Sequence, residues 1–466
     1  MNGTRYRPFR VAFFSCCLAI LIIACGSTGT KQGVSSSPTS SAHTPTGGSG
    51  TAQPVTTNTT GSLPPGSTSC PPQGTARAAV MPLLTLGSHQ NIVYLLGEGA
   101  INTFPTSTLK RYDVTTGSTT EIVKMPHVRI TEAQVSADGR WILFVAGSKL
   151  QMIRMDGQDL QTLYCTSAPA TEISGVQWSP DQRQVIFFGG GKPEGEQTLY
   201  LLDIARGTVQ PELFYTGQST FYIPRTWIDS KRVYLVGVPR LSSGPEPTPA
   251  PVPKLYILDT GNGANQHTNN LRFVAQAQSP YCWDFDSSYD TGKLFIDHCI
   301  QLVALGSAGV GLRQGPSSIT VQSATGGPSN TVYINPKQAI IAVRVVGYTS
   351  ASLLLIIENQ SDGHVSVDTS QNGLWKINTD GSGLTRLTTE NAGDRTSLNR
   401  YTQYPWSNFS HDGSMYAARI AAFQGNSPPA YSLVFGSLSG GTPTMFASVP
   451  HPGEVTQLEL AGWTTM

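Results

Sequence analysis

The chain has 466 residues, of which only 13% are charged, and its thirty Lys and Arg offset twenty-nine Asp and Glu to a formal net charge of +1. With neither a basic nor an acidic surplus, nothing in the charge balance argues for nucleic acid as a partner or for long-range electrostatic steering. Forty-eight Gly and thirty-two Pro suit many tight turns rather than long helices, and no long stretch has helical period.

Residues 1–24 read as an export signal. Arg5, Arg7 and Arg10 make a positive start, and Val11 to Ile23 is almost wholly apolar yet short for a membrane span. The run ends Ile22-Ile23-Ala24-Cys25-Gly26, which resembles the lipobox of bacterial lipoproteins. That resemblance implies cleavage before Cys25, a diacylglycerol on its thiol, and a chain held on the extracytoplasmic side of the cell membrane. Residues 25–69 are Ser, Thr, Gly and Pro with almost no charge, and cannot bury enough apolar surface to fold. Such a tether averages roughly 35–40 Å end to end.

Residues 70–466 form the folded part. Gly373–Thr388, GLWKINTDGSGLTRLT, holds two alternating strands around an Asp380-Gly381 turn, and the outline recurs from Leu109, Leu150, Leu199, Leu255, Ile319 and Ser432. A second hairpin precedes most of these, most clearly EISGVQWSPDQRQVIFF from Glu172 and YPWSNFSHDGSMYAARI from Tyr404. Four strands per unit, repeated at tens of residues, predict an all-β fold: a β-propeller of four-stranded antiparallel blades. One blade per outer hairpin makes seven, with six or eight also open. The words SADG at Ser136, SPDQ at Ser179, SHDG at Ser410 and NTDGSGLTRLT at Asn378 resemble the repeat of TolB-type, WD-repeat-like propellers. The resemblance is strong at 132–215 and 373–420. It implies an interaction platform in the cell envelope and carries over no catalytic residue.

Blade seven is expected over about 402–449. Gln457–Trp463 has no partner strands after it, and Trp463 echoes Trp178, Trp227 and Trp406. It is expected to be the innermost strand of blade one, a place for which Ala79–Leu84 competes. After processing the folded part holds four cysteines, and an even number in an exported chain suggests disulfides. Cys282 and Cys299 are centred on the Ser287–Gly292 turn and are expected to face each other across two strands, leaving Cys70 for Cys165.

Antiparallel order places the turns within the two hairpins of each blade at one end, and the longer connections at the other. Long loops on a rigid scaffold are where binding resides. The expected binding face therefore gathers His127, Arg129 and Glu132 before blade two, Tyr222 and Arg225 at the start of blade four, and Asp394, Arg395, Arg400 and Tyr401 before blade seven. The partner class is a protein, peptide or glycan. No Gly-x-Ser-x-Gly elbow, phosphate-binding loop or metal-spaced His cluster occurs, so no cofactor or metal is assigned. Catalytic carboxylates or His in the central funnel, contributed by different blades, are the alternative.

Overall fold

The computed structural model describes residues 66–99, 106–166, 173–190, 197–214, 220–239, 252–262, 271–278, 283–288, 292–302, 312–347, 351–359, 366–388, 394–397, 408–422, 430–449 and 455–466. The signal, Cys25 and most of the tether lie outside them, as do Arg400 and Tyr401.

The strands pair into seven four-stranded antiparallel sheets, arranged as the blades of a ring. From blade one to blade seven the innermost strands are Val455–Thr465, Ile130–Val135, Ile173–Trp178, Thr220–Trp227, Trp283–Ser287, Ile340–Val346 and Asp394–Ser397. The carboxy-terminal strand pairs with Gln90–Glu98, so the last strand of the chain completes the first blade. Trp463 lies opposite Ile92 and is fully buried. The central strands are apolar on both faces, as in Trp141–Ala146 and Ser352–Ile357, because each sheet packs between two neighbours.

The repeated words have a local cause. Ser136 donates its hydroxyl to Asp138 at 2.6 Å and accepts the amides of Arg140 and Trp141; Ser179 with Asp181 and Ser410 with Asp412 repeat the arrangement. Each Ser-x-Asp pair thus closes the first hairpin of its blade. In the Asp380-Gly381 turn, Gly381 has φ +87°, and a Cβ there would lie 2.1 Å from the Val332 carbonyl oxygen of the preceding blade. Conformation and close approach both demand Gly.

Two expectations need correction. Blade seven begins earlier than about 402: Asp394–Ser397 pairs with Arg419–Ala422, and Phe409 bridges Tyr416 further along the same edge. Glu132 lies within the inner strand of blade two rather than in a loop, because pairing with Val145 draws it into the ladder.

Ala79–Leu84 is not an inner strand. Residues 66–86 form a strap outside the sheets. Ser67 accepts the Thr162 amide at 2.9 Å, the Arg77 amide reaches Leu163 at 2.8 Å, and Ala79 reaches Ile204 of blade three at 2.8 Å. Gln161 clasps both backbone groups of Val80, and Arg140 donates to the Leu84 carbonyl at 2.9 Å. A Cys70–Cys165 disulfide pins the strap near its start, with Cα atoms 5.7 Å apart and a sequence separation of 95. Cys299 is also disulfide-bonded, while Cys282 lies outside the described residues. Replacing Cys70 and Cys165 together by Ser is expected to cost about 2–4 kcal/mol, because the bridge closes a long loop. Urea midpoints measured with and without the pair check this, and equal midpoints would show the strap holding without its clasp.

Candidate functional site

The inner strands converge on the centre of the ring, and there the edge of each has no further strand to pair with. Unpaired amides of this kind need partners. In this protein many of the partners are polar side chains of the adjacent blade. The two carboxylate oxygens of Glu132 accept the amides of Gly175 and Val176 in blade three, each at 2.8 Å. Gln134 donates to the Val176 carbonyl at 2.5 Å and accepts from the Trp178 amide at 3.4 Å. Trp227 of blade four donates its indole N–H to Gln177 at 3.1 Å.

The densest group spans blades four to six. Asp284, only 2% exposed, accepts from the Arg344 guanidinium at 2.5 Å and from Arg225 at 3.5 Å. It also accepts the Val343 amide at 3.4 Å, and its own amide donates to Asp297. Asp286 accepts the amides of Val345 and Ser287 at 2.8 and 2.9 Å. Arg225 lies over the Phe285 ring, 5.9 Å from its centroid. At the hairpin-turn end, Thr464 donates to the Gly139 carbonyl at 2.6 Å and His411 hydrogen-bonds the Trp463 backbone, joining blades seven, one and two.

Burial raises the pKa of Glu132 to about 7, with Glu459 adding to the rise and the two amides opposing it. Burial likewise takes Asp286 to about 6, against the pull of Arg344. The folded chain therefore holds a proton on Glu132 between about pH 4.5 and 7, where the unfolded chain does not. This contribution to stability is full at the acid end and is lost as pH rises through 7. Its size is at most about 3 kcal/mol, and less for the solvent contact Glu132 keeps. Glu132→Gln is expected to flatten the fall in stability from pH 5 to pH 8, read as urea midpoints. Parallel profiles for the two proteins would remove Glu132 from the balance.

The expected face is only partly assembled. His127, in the left-handed region at φ 57°, and Arg129 are exposed in the connection from blade one to blade two. Tyr222 is buried against Tyr256, with ring centroids 5.4 Å apart. Arg225 and Glu132 are turned onto neighbouring blades. Asp394 and Arg395 lie on the inner strand of blade seven, and their side chains are outside the described residues. Arg344, Asp284, Asp297 and Gln134 were missed by sequence reasoning, although a lone Arg inside the apolar run Ile340–Val346 is a visible signal. Among the described residues no three His, Cys, Asp or Glu side chains group as a metal site.

No protein-family model matches the chain and no curated protein is significantly similar to it. Among solved structures it is similar to a protein assigned as TolB from Agrobacterium tumefaciens, with 11% identity and a TM-score of 0.38 over 80% of this chain and 99% of that one. An oligogalacturonate lyase in complex with manganese shares 12% identity at a TM-score of 0.31, covering 79% of this chain and 76% of the lyase. An acylaminoacyl peptidase from Pyrococcus horikoshii shares 10% at 0.44, covering 69% of this chain and 46% of the peptidase. Likenesses this distant carry no functional weight, and the strand pairing alone establishes the propeller.

Proposed function

We propose that this protein is a lipid-anchored propeller on the extracytoplasmic side of the cell membrane, serving as a platform for a protein, peptide or glycan at its loop end. The observation that carries the reading is the engagement of the inner-strand carboxylates. Glu132, Asp284 and Asp286 are all committed to amides or guanidinium groups of the chain itself. A general acid or base needs access to a substrate proton, and these geometries direct the carboxylates into the scaffold. The exposed His127 and Arg129 are left as contact groups at the loop end. The apolar run ending in Cys25 and the uncharged tether support the anchor.

The test uses the intact chain in its own membrane. Labelled fatty acid should enter the wild type and be lost in Cys25→Ser, with unprocessed precursor accumulating. A photo-crosslinking residue at position 127 should capture a discrete species, while one at Asp380, at the opposite end of the ring, should not. Lipid entering the Ser variant would end the anchoring assignment. Turnover of a glycan or peptide by the purified protein, abolished by Asp284→Asn without unfolding, would replace the platform with an enzyme.

A further inference from the structure

The strap has two unlike sides. Pro82 and Leu84 lean onto the propeller, while Met81, Leu83 and Thr85 point outward. Leu83 is 90% exposed and Met81 40%, and Leu83 is the most exposed large apolar side chain among the described residues. Three arginines border this segment. Arg140 holds the Leu84 carbonyl, while Arg206 adjoins Gly207, where a Cβ would lie 2.1 Å from the Ala78 nitrogen. The exposed Arg183 stands beside them, its carbonyl taking the Ile204 amide. Arg206 leaves 81% of its side chain in solvent. The acids of the same turns stay close to these arginines: Asp138 pairs with Arg140 at 3.3 Å and Asp203 with Arg206 at 3.9 Å, while Asp181 accepts from Ser179 and from the Arg183 amide.

We propose that Met81 and Leu83, flanked by Arg140, Arg183 and Arg206, form a docking surface for the phospholipid bilayer. The reading rests on the anchor at Cys25 proposed above. Cys25 precedes Cys70 by forty-five positions, and a coil of that length averages about 35–40 Å. The anchor therefore keeps the strap at high effective concentration near the headgroups. Two outward apolar side chains beside the exposed Arg183 and Arg206 match an interface that is apolar beneath and phosphate-bearing above, while Arg140 is spent on the Leu84 carbonyl and Asp138. A strap seated on lipid turns the hairpin end of the ring toward the membrane and leaves the loop end, with His127 and Arg129, facing away.

The experiment uses the intact, acylated protein in vesicles of phosphatidylcholine, with and without phosphatidylglycerol. A polarity-sensitive fluorophore is attached at Leu83→Cys, or at Glu98→Cys, exposed at the loop end of blade one. The label at position 83 should shift to the blue and lose emission to nitroxide carried on lipid chains; the label at 98 should do neither. Met81→Cys gives an independent reporter, and adding Leu83→Asp should abolish its quenching. Arg183→Glu with Arg206→Glu should weaken quenching more in the anionic vesicles. Acylated, vesicle-bound protein whose label at 83 stays unquenched overturns the docking surface and leaves the anchor intact. Protection of position 83 by a protein or by a second copy, without lipid quenching, also overturns it. An intact mass without acyl chains overturns the anchor and the docking surface together.

Discussion

Trp463→Ala is expected to lower the stability of the folded domain by about 3–5 kcal/mol, the range for a fully buried indole truncated to a methyl group. Trp463 has no exposed surface, and its cluster includes Ile92 and Tyr94 of blade one with Ala417 and Leu433 of blade seven. The side chain therefore contributes to the seam where the two ends of the ring meet, and its loss leaves a cavity between blades. Removal of residues 455–466 should act further. Gln90–Glu98 would lose its partner strand and expose a long apolar edge, so the truncated chain should aggregate or lose cooperative unfolding. Urea denaturation followed by two probes measures both effects. An unchanged midpoint for Trp463→Ala would mean that the seam does not depend on this side chain.

The second large effect is expected at Arg344. Arg344→Leu should cost about 3–5 kcal/mol, because it leaves the buried Asp284 carboxylate with a distant guanidinium, Arg225 at 3.5 Å, in place of a close one. The asymmetry between breaking a buried pair and removing both charges supplies the control. Arg344→Leu combined with Asp284→Asn should recover a large part of the loss, and a double-mutant cycle in urea reads the coupling directly. Additive losses would show that the two side chains do not act as a pair.

The propeller was legible because its signals are local. Alternating strands, Asp-Gly turns and Ser-x-Asp pairs are each set within about a dozen residues, and they recur. The carboxy-terminal closure was legible for a related reason: Gln457–Trp463 reads as a strand without neighbours in sequence, and a ring supplies the missing neighbour. The inner surface was not legible. Arg344 stands out in its apolar run, but its partner Asp284 lies 60 residues away in another blade, and no local pattern connects them. Glu132 read as a loop residue because polar neighbours mask a strand whose pairing is tertiary. Asp394–Ser397 has no apolar alternation at all and is a strand only because Arg419–Ala422 lies beside it. For the face as a whole, the sequence places loops at one end of the ring but does not say which side chains the neighbouring blades will claim.

The strap also decides where mechanical load would enter the domain. Tension applied to the chain ahead of Cys70 reaches the Cys70–Cys165 bond before it reaches any strand of blade one. The covalent link passes that pull to the outer strand of blade two, at the rim, and bypasses the noncovalent seam between Val455–Thr465 and Gln90–Glu98. A ring closed by strand pairing is vulnerable to being unzipped from its ends. Here the amino-terminal side of the closure is shielded from traction as long as the disulfide is oxidised. Once it is reduced, the same pull would peel Arg77 and Ala79 off their carbonyl partners in sequence and arrive at the first strand.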